Sequence, residues 1–405
     1  MVSWRRNLFA VTAASFIGFT GFTLVMPFLP LYFRELGVDQ VGEIALWSGL
    51  SLGVTPAITA LMAPFWGRLA DRVGRKIMVE RSLASFVVVM AAMAFVTRAW
   101  HVLALRAIQG LFAGYGALAL TMAADSTPRE RMAQAIGIVQ IAQRLGPALG
   151  PVIGGTVAQI VGLRQAFLVT SSFYLGALIL VLSVYREGPP RKTDAAAGDH
   201  RITFRNVLAF ENFVILMAVV FGLQFVDRSF GPVLPLYIAE LGTPVERVPI
   251  VSGVLFSMAA GTAALGNHVS GRLLRRLSAR LVIAGAAAAA ALGTLVYVLA
   301  GSAGLLLAGT PIFGVGIGVA MTAAYTAAGT VIPASGRGAG FGLLTTASLT
   351  GLALSPILSG MLSAVSIRAV FLLDTAALLV LAGLVRRLMA AAPLAATTAP
   401  TTEEV

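Results

Sequence analysis

Long apolar runs with short polar punctuation fill almost the whole chain. No Asp, Glu, Lys or Arg occurs from Ile44 to Trp66, and the stretch from Ser82 to Thr97 is equally bare. About 20 such residues in a helix cross the roughly 30 Å hydrocarbon core of a bilayer. The pattern predicts helices over 7–34, 44–66, 78–98, 102–124, 134–161 and 166–186, then over 211–238, 250–270, 280–300, 304–328, 338–364 and 368–388. The fold class expected is all-α and integral to a membrane, with twelve transmembrane helices. The first run, Leu8 to Phe33, is too long for a signal-peptide core and shows no small-residue cleavage site, so it reads as a retained helix.

One polar interruption is long: 187–205, rich in Pro, Gly and mixed charge, reads as a cytoplasmic linker. It divides an N-terminal six-helix bundle (1–186) from a C-terminal one (206–390), and 391–405 reads as a disordered cytoplasmic tail. The halves repeat at a shift of 204 to 205 positions. LPLYFRELG at 29–37 returns as LPLYIAELG at 234–242, and GRLADRVGRK at 67–76 returns as GRLLRRLSAR at 271–280. Gly146, Pro151 and Gly155 map onto Gly351, Pro356 and Gly360. Such order at one shift points to an internal duplication and two pseudo-symmetric bundles.

Composition agrees with the pattern. The chain of 405 residues is 58% hydrophobic and 11% charged, with mean hydropathy +0.89, which excludes a soluble globular surface. Cysteine is absent, so disulfides and thiolate metal sites are excluded. The net charge of +12 comes from Arg in short loops, a topology signal rather than a nucleic-acid footprint. With the N-terminus inside, only Arg34, Arg98, Arg164, Arg247 and Arg368 fall on the opposite side, so both termini are expected in the cytoplasm. There is no phosphate-cradling G-x-x-x-x-G-K-[ST] loop and no zinc motif, and His101, His200 and His268 are scattered. An ATP-driven pump, a metal site and an embedded enzyme find no support.

Three motifs carry a resemblance. Gly67, Leu69, Ala70, Asp71, Arg72, Gly74, Arg75 and Lys76 fit G-x-L-A-D-R-x-G-R-K; Arg106, Gln109 and Gly110 fit R-x-x-Q-G; Gly137, Gly146, Gly150, Pro151, Gly154 and Gly155 fit a glycine-rich fifth-helix pattern. Together they make the chain resemble the major facilitator superfamily of secondary transporters, and within it the twelve-helix drug/proton antiporters. Pro27 and Pro30 resemble the first-helix motif of the same group.

That resemblance implies a proton-coupled exporter of small amphipathic molecules in the bacterial cytoplasmic membrane, working as a monomer by rocking of the two halves. It implies no cofactor beyond the proton gradient. Asp71 is expected to dock on the start of the eleventh helix near Gly336–Gly340, and Arg75 to pair with Asp125, as a cytoplasmic latch with Gly67, Arg72 and Gly74. The fifth-helix glycines are expected to form a seam against the eighth helix. Lack of an acid in the first helix weakens a preference for lipophilic cations. The alternative is a transporter of one defined metabolite, such as a sugar or organic anion.

Ionisable groups inside a bilayer are costly, about 2.5 to 3.5 kcal/mol at a helix centre, so each calls for a reason. Asp227, Arg228, Arg106, Arg144 and Asp374 are such groups. The resemblance implies Asp227 as the proton carrier with Arg106 as its modulator, and a structural role for Asp374. Arg228, adjacent in sequence, points about 100° away from Asp227 and is not expected to partner it. The cavity is expected to draw on Phe19, Phe22, Gln109, Tyr115, Gln140, Gln143, Arg144, Gln224, Arg228 and Tyr325. Phe16, Phe19 and Phe22 recur every third residue, a stripe suited to plain packing or lipid contact first and to a stacking wall second.

Overall fold

The computed structural model describes residues 4–186, 210–332 and 337–390, and these are almost entirely helical. The expected linker 187–205 and tail 391–405 lie outside the described residues. In chain order the first half holds α1 (Trp4–Leu24), α2 (Leu29–Glu35), α3 (Val41–Val73), α4 (Arg75–Met93), α5 (Ala99–Phe112), α6 (Tyr115–Ser126), α7 (Met132–Val161) and α8 (Leu163–Val184). The second half holds α9 (Phe213–Glu240), α10 (Val248–Leu274), α11 (Ala279–Leu299), α12 (Ala303–Val331), α13 (Arg337–Ser363) and α14 (Ile367–Leu388).

Among the described residues, ten helices are long and apolar enough to cross a bilayer unaided. Two further spans complete twelve. One is α4, whose first two turns carry Arg75, Lys76, Glu80 and Arg81. The other is the pair α5 and α6, split by Gly114 at a φ of 121° that side chains rarely adopt. The first span is also split, between Leu24 and Leu29, where Pro27 supplies no N–H and Phe28 bonds back only to Val25 O, at 3.3 Å. The counterpart prolines, Pro232 and Pro235, sit inside the unbroken α9.

Spans alternate between two faces. The termini face carries Trp4, Val73 to Arg75, Leu274 to Ala279 and Leu388; the distal face carries Glu35 to Val41 and Ser363 to Ile367. The ten-residue charged motif is mostly not a loop: α3 continues through Asp71 to Val73, and Gly74 alone, at φ 102°, turns the chain into α4.

The repeat is visible atom by atom. Within the halves α1 packs on α7 as α9 packs on α13, α3 on α5 as α10 on α12, and α4 on α8 as α11 on α14. Tyr32 donates to Met93 O at 2.6 Å, and Tyr237 donates to Tyr297 O at 2.7 Å. Between the halves the seams are α3 against α13 and α7 against α10. Gly49 lies on the carbonyl of Pro356 and Gly253 on that of Pro151; Gly360 lies on Ala45 and Gly155 on Pro249. Each pair is the other at a shift of 204 to 205, and all four sit in the distal half. With one glycine at each contact the backbones approach closely, the mode of association open to helices in lipid.

Candidate functional site

Between the halves lies a chamber of about 690 Å³. The first half contributes Thr23, Met26, Gln143, Arg144, Pro147 and Pro151, and the rest of the wall comes from α9, α10, α11 and α12. Apolar small residues dominate α10, while Phe230 stacks on Phe313 at 4.8 Å and meets Tyr297 edge-on at 5.1 Å. Such a wall, with few fixed polar groups, tolerates varied amphipathic shapes.

The polar groups are held from both halves. Gln143 donates to Gly116 O at 2.9 Å, next to the break in the fourth span. Asn267 on α10 donates to Gly318 O at 2.8 Å and to Thr322 Oγ1 at 2.9 Å, turning its oxygen to Arg144 Nη1 across the chamber at 3.3 Å. Asp227 and Arg228 both line the wall, about a third exposed, with Oδ2 and Nε 3.2 Å apart. That pair corrects the expectation that neighbours on one helix stay apart. The long, bending Arg side chain reaches back to the carboxylate, although Nε fails hydrogen-bond geometry.

Gln143, Arg144, Gln224, Arg228 and Tyr325 line the chamber, while Phe19, Phe22, Gln109, Tyr115 and Gln140 do not. Phe19 is spent on Tyr115, with ring centroids 5.5 Å apart, Gln109 is fully buried against Arg106, and Gln140 is exposed away from the wall. Phe22 is half-buried on α1, one residue short of Thr23, which does reach the chamber. Arg106 is likewise buried inside the first half and absent from the lining, which separates it from Asp227.

The glycine-rich helix needs a second correction. Gly146, Gly150 and Gly154 face α1 of their own half, against Thr20, Thr23 and Leu24. Of the motif residues, Gly155 and the Pro151 carbonyl do meet the eighth span, beside Val152 N, which donates to Ser257 Oγ at 3.0 Å. One helical stripe cannot face two neighbours, and the one spaced at four residues selects α1. Gly137 has open space beside it.

At the termini face Arg75 is ion-paired with Asp125, and Lys76 donates to Tyr185 O at 2.9 Å. Arg72 and Gly67 are exposed. The Asp71 side chain and residues 333–336 lie outside the described residues, so the expected docking on the eleventh span does too. Two features were not legible in sequence. Arg81 sits 3.4 Å over the Trp66 ring and donates to Phe112 O at 3.1 Å, capping the carbonyl freed by the break in the fourth span. Ser229 Oγ stands 2.5 Å from Oδ2 of the fully buried Asp374.

Comparison with known proteins agrees with this architecture. The model of the Major Facilitator Superfamily matches residues 11–335 and again 216–404. Multidrug resistance protein MdtG of Yersinia enterocolitica is 36% identical over 266 residues, covering 65% of this chain and 64% of that protein. MdtG of Serratia proteamaculans is 33% identical over 285 residues, covering 70% and 69%. The chain thus aligns with about two thirds of the length of these relatives. Among solved structures, a bacterial homolog of the human lysosomal transporter Spinster, inward-facing and unoccupied, superposes with a TM-score of 0.78 at 18% identity, covering 95% of this chain and 97% of that one. The nucleoside transporter NupG (D323A mutant) superposes at 0.72 with 14% identity, covering 93% and 98%.

Proposed function

Because this chain belongs to the Major Facilitator Superfamily, we propose that it is a proton-coupled antiporter exporting small amphipathic molecules across a bacterial cytoplasmic membrane. The observation that carries the reading is the chamber itself. Both halves wall it, matched glycine contacts seal the seams on its distal side, and a carboxylate, Asp227, stands on its wall. With the termini in the cytoplasm, as the arginine distribution favours, this is an arrangement sealed on the outer side. The chamber reaches toward the cytoplasm as far as Thr326, near the end of α12.

Transport then runs by rocking about the two seams. A proton arriving at Asp227 neutralises it and frees Arg228; its release restores the pair as cargo leaves. Arg75 and Asp125, with Asp71, Arg72, Gly67 and Gly74, form the latch that closes the cytoplasmic side in the alternate state. The cycle involves no covalent chemistry and draws only on the proton gradient. Its partners are the amphipathic cargo, protons and the bilayer, with no nucleic acid, and a monomer suffices. The relatives named as multidrug resistance proteins support broad export.

A second reading is transport of one anionic metabolite, favoured by two arginines against one acid on the chamber wall. Reconstituted vesicles with an inward acid gradient, offered a panel of amphipathic drugs and organic anions, decide between them. Gradient-dependent movement of several unrelated drugs supports broad export. Movement of a single anion favours the second reading, and no movement of any compound overturns both.

A further inference from the structure

We infer that the first half holds a small monovalent anion, of halide size, in a closed pocket of donors around Arg106. This inference stands independently of the transport reading. Arg106 is 2% exposed. Its Nη1 donates to Gln109 Oε1 at 2.9 Å, while Nε and Nη2 have no hydrogen-bond partner. Gln109 Nε2 and the hydroxyls of Tyr115 and Tyr174 are buried without partners as well.

With Ser15, these groups sit on four helices of the first half. The Tyr115 and Tyr174 rings both meet Phe86, at 6.0 and 5.2 Å, and both press their hydroxyl ends on α1, at Gly18 and Gly21. Arg106 lies within electrostatic reach of Tyr174. On α1, one turn before Gly18, Ser15 Oγ is also buried and unpartnered. Every unpaired atom in the set carries a hydrogen to give.

Charge decides what fills the pocket. A guanidinium cannot shed its proton inside a protein, and an uncompensated buried charge is strongly unfavourable. Among the described residues no acid lies within ion-pair distance of Arg106. The acids of this half sit near the ends of their spans, namely Glu35, Asp39 and Glu43 distally and Asp71, Glu80, Asp125 and Glu130 at the termini face. Water would satisfy donors but leave the charge; an anion does both. Arg106, Gln109, Tyr115 and Tyr174 are at most 7% exposed and none lines the chamber, so organic cargo has no access to them and the ion inferred is a monatomic one. The counterpart of Arg106 in the second half is Thr310, which donates to Leu306 O at 2.6 Å and leaves nothing unpaired.

The full chain, purified in detergent, is melted in sodium chloride, sodium bromide and sodium gluconate at equal ionic strength, and crystals are soaked in bromide. The inference expects a saturable rise of the melting midpoint with either halide, none with gluconate, and a bromide peak beside Arg106. Tyr174→Phe and Gln109→Leu keep the core packed and each raise the half-saturating halide concentration about tenfold, the scale of one hydrogen bond to a charged group. Equal midpoints in halide and gluconate, an unchanged halide response in both variants, or water alone at Arg106 would overturn it.

Discussion

Among the described residues each half buries one carboxylic or guanidinium side chain almost completely, and the two are opposite in the sign of charge they can carry. The first half hides Arg106 on α5, and the second hides Asp374 on α14. At the shift of 204, Arg106 answers to Thr310 and Asp374 to Thr170, and both threonines close their hydroxyls on their own helix. The scaffold therefore did not require charge at either place. An aspartic acid can discard its charge by taking a proton. Ser229, with a single hydroxyl proton, faces both Val226 O at 2.9 Å and Asp374 Oδ2 at 2.5 Å, a geometry a proton on Asp374 would complete. An arginine has no such exit and needs a counter-ion. Duplication set the seams in common, and each half then used its interior differently.

The largest effect expected separates the chamber carboxylate from the buried one. Asp227→Asn should lower gradient-driven export more than tenfold and abolish substrate-induced proton release, whereas Asp374→Asn should leave proton release intact. Proton release from detergent-purified protein reads both, and the opposite pattern would exchange their roles. Next come the seams, where the halves are alike. Gly49→Val and Gly253→Val each push a Cβ into a proline carbonyl across the seam, costing about 1–3 kcal/mol apiece. Thermal melts should show similar losses, and a loss confined to one would break the symmetry argued here.

Smaller effects follow from the matched tyrosines. Tyr32→Phe and Tyr237→Phe each remove one buried bond to a backbone carbonyl, with an expected loss of about 1 kcal/mol in either half. The smallest belongs to the termini face, where the halves differ again. Arg75→Gln breaks a pair whose Asp125 side chain is 40% exposed, so stability should change by less than about 1 kcal/mol and fade in high salt. A transport defect well beyond that loss would mark the pair as part of the latch.

The count of spans and the repeat were readable because apolar length marks most membrane spans, ten of them unaided. Which spans break was not: Pro27 and Pro30 recur as Pro232 and Pro235, yet only the first pair interrupts its helix, so the outcome lies in packing rather than local sequence. The same limit applies to faces. Gln143, Arg144, Gln224, Arg228 and Tyr325 reach the chamber, but Phe19, Tyr115 and Gln109 turn into their own bundle. A spacing of three or four residues groups side chains on a stripe without saying what the stripe meets. The fifth-span glycines, aimed at α1, are the same case. Asn267 lines the chamber unheralded, since a lone amide among small apolar residues carries no pattern.

The central claim is that the halves must part at the distal seams for cargo to leave. The chain has no cysteine, so a single engineered pair is unambiguous. A Cβ built at Gly42 lies 2.8 Å from that of Ala364, and a slight opening brings the two to the roughly 3.8 Å a disulfide favours. The account predicts that Gly42→Cys with Ala364→Cys transports when reduced, stops when oxidised and recovers on reduction. Undiminished transport by the fully oxidised protein would contradict it.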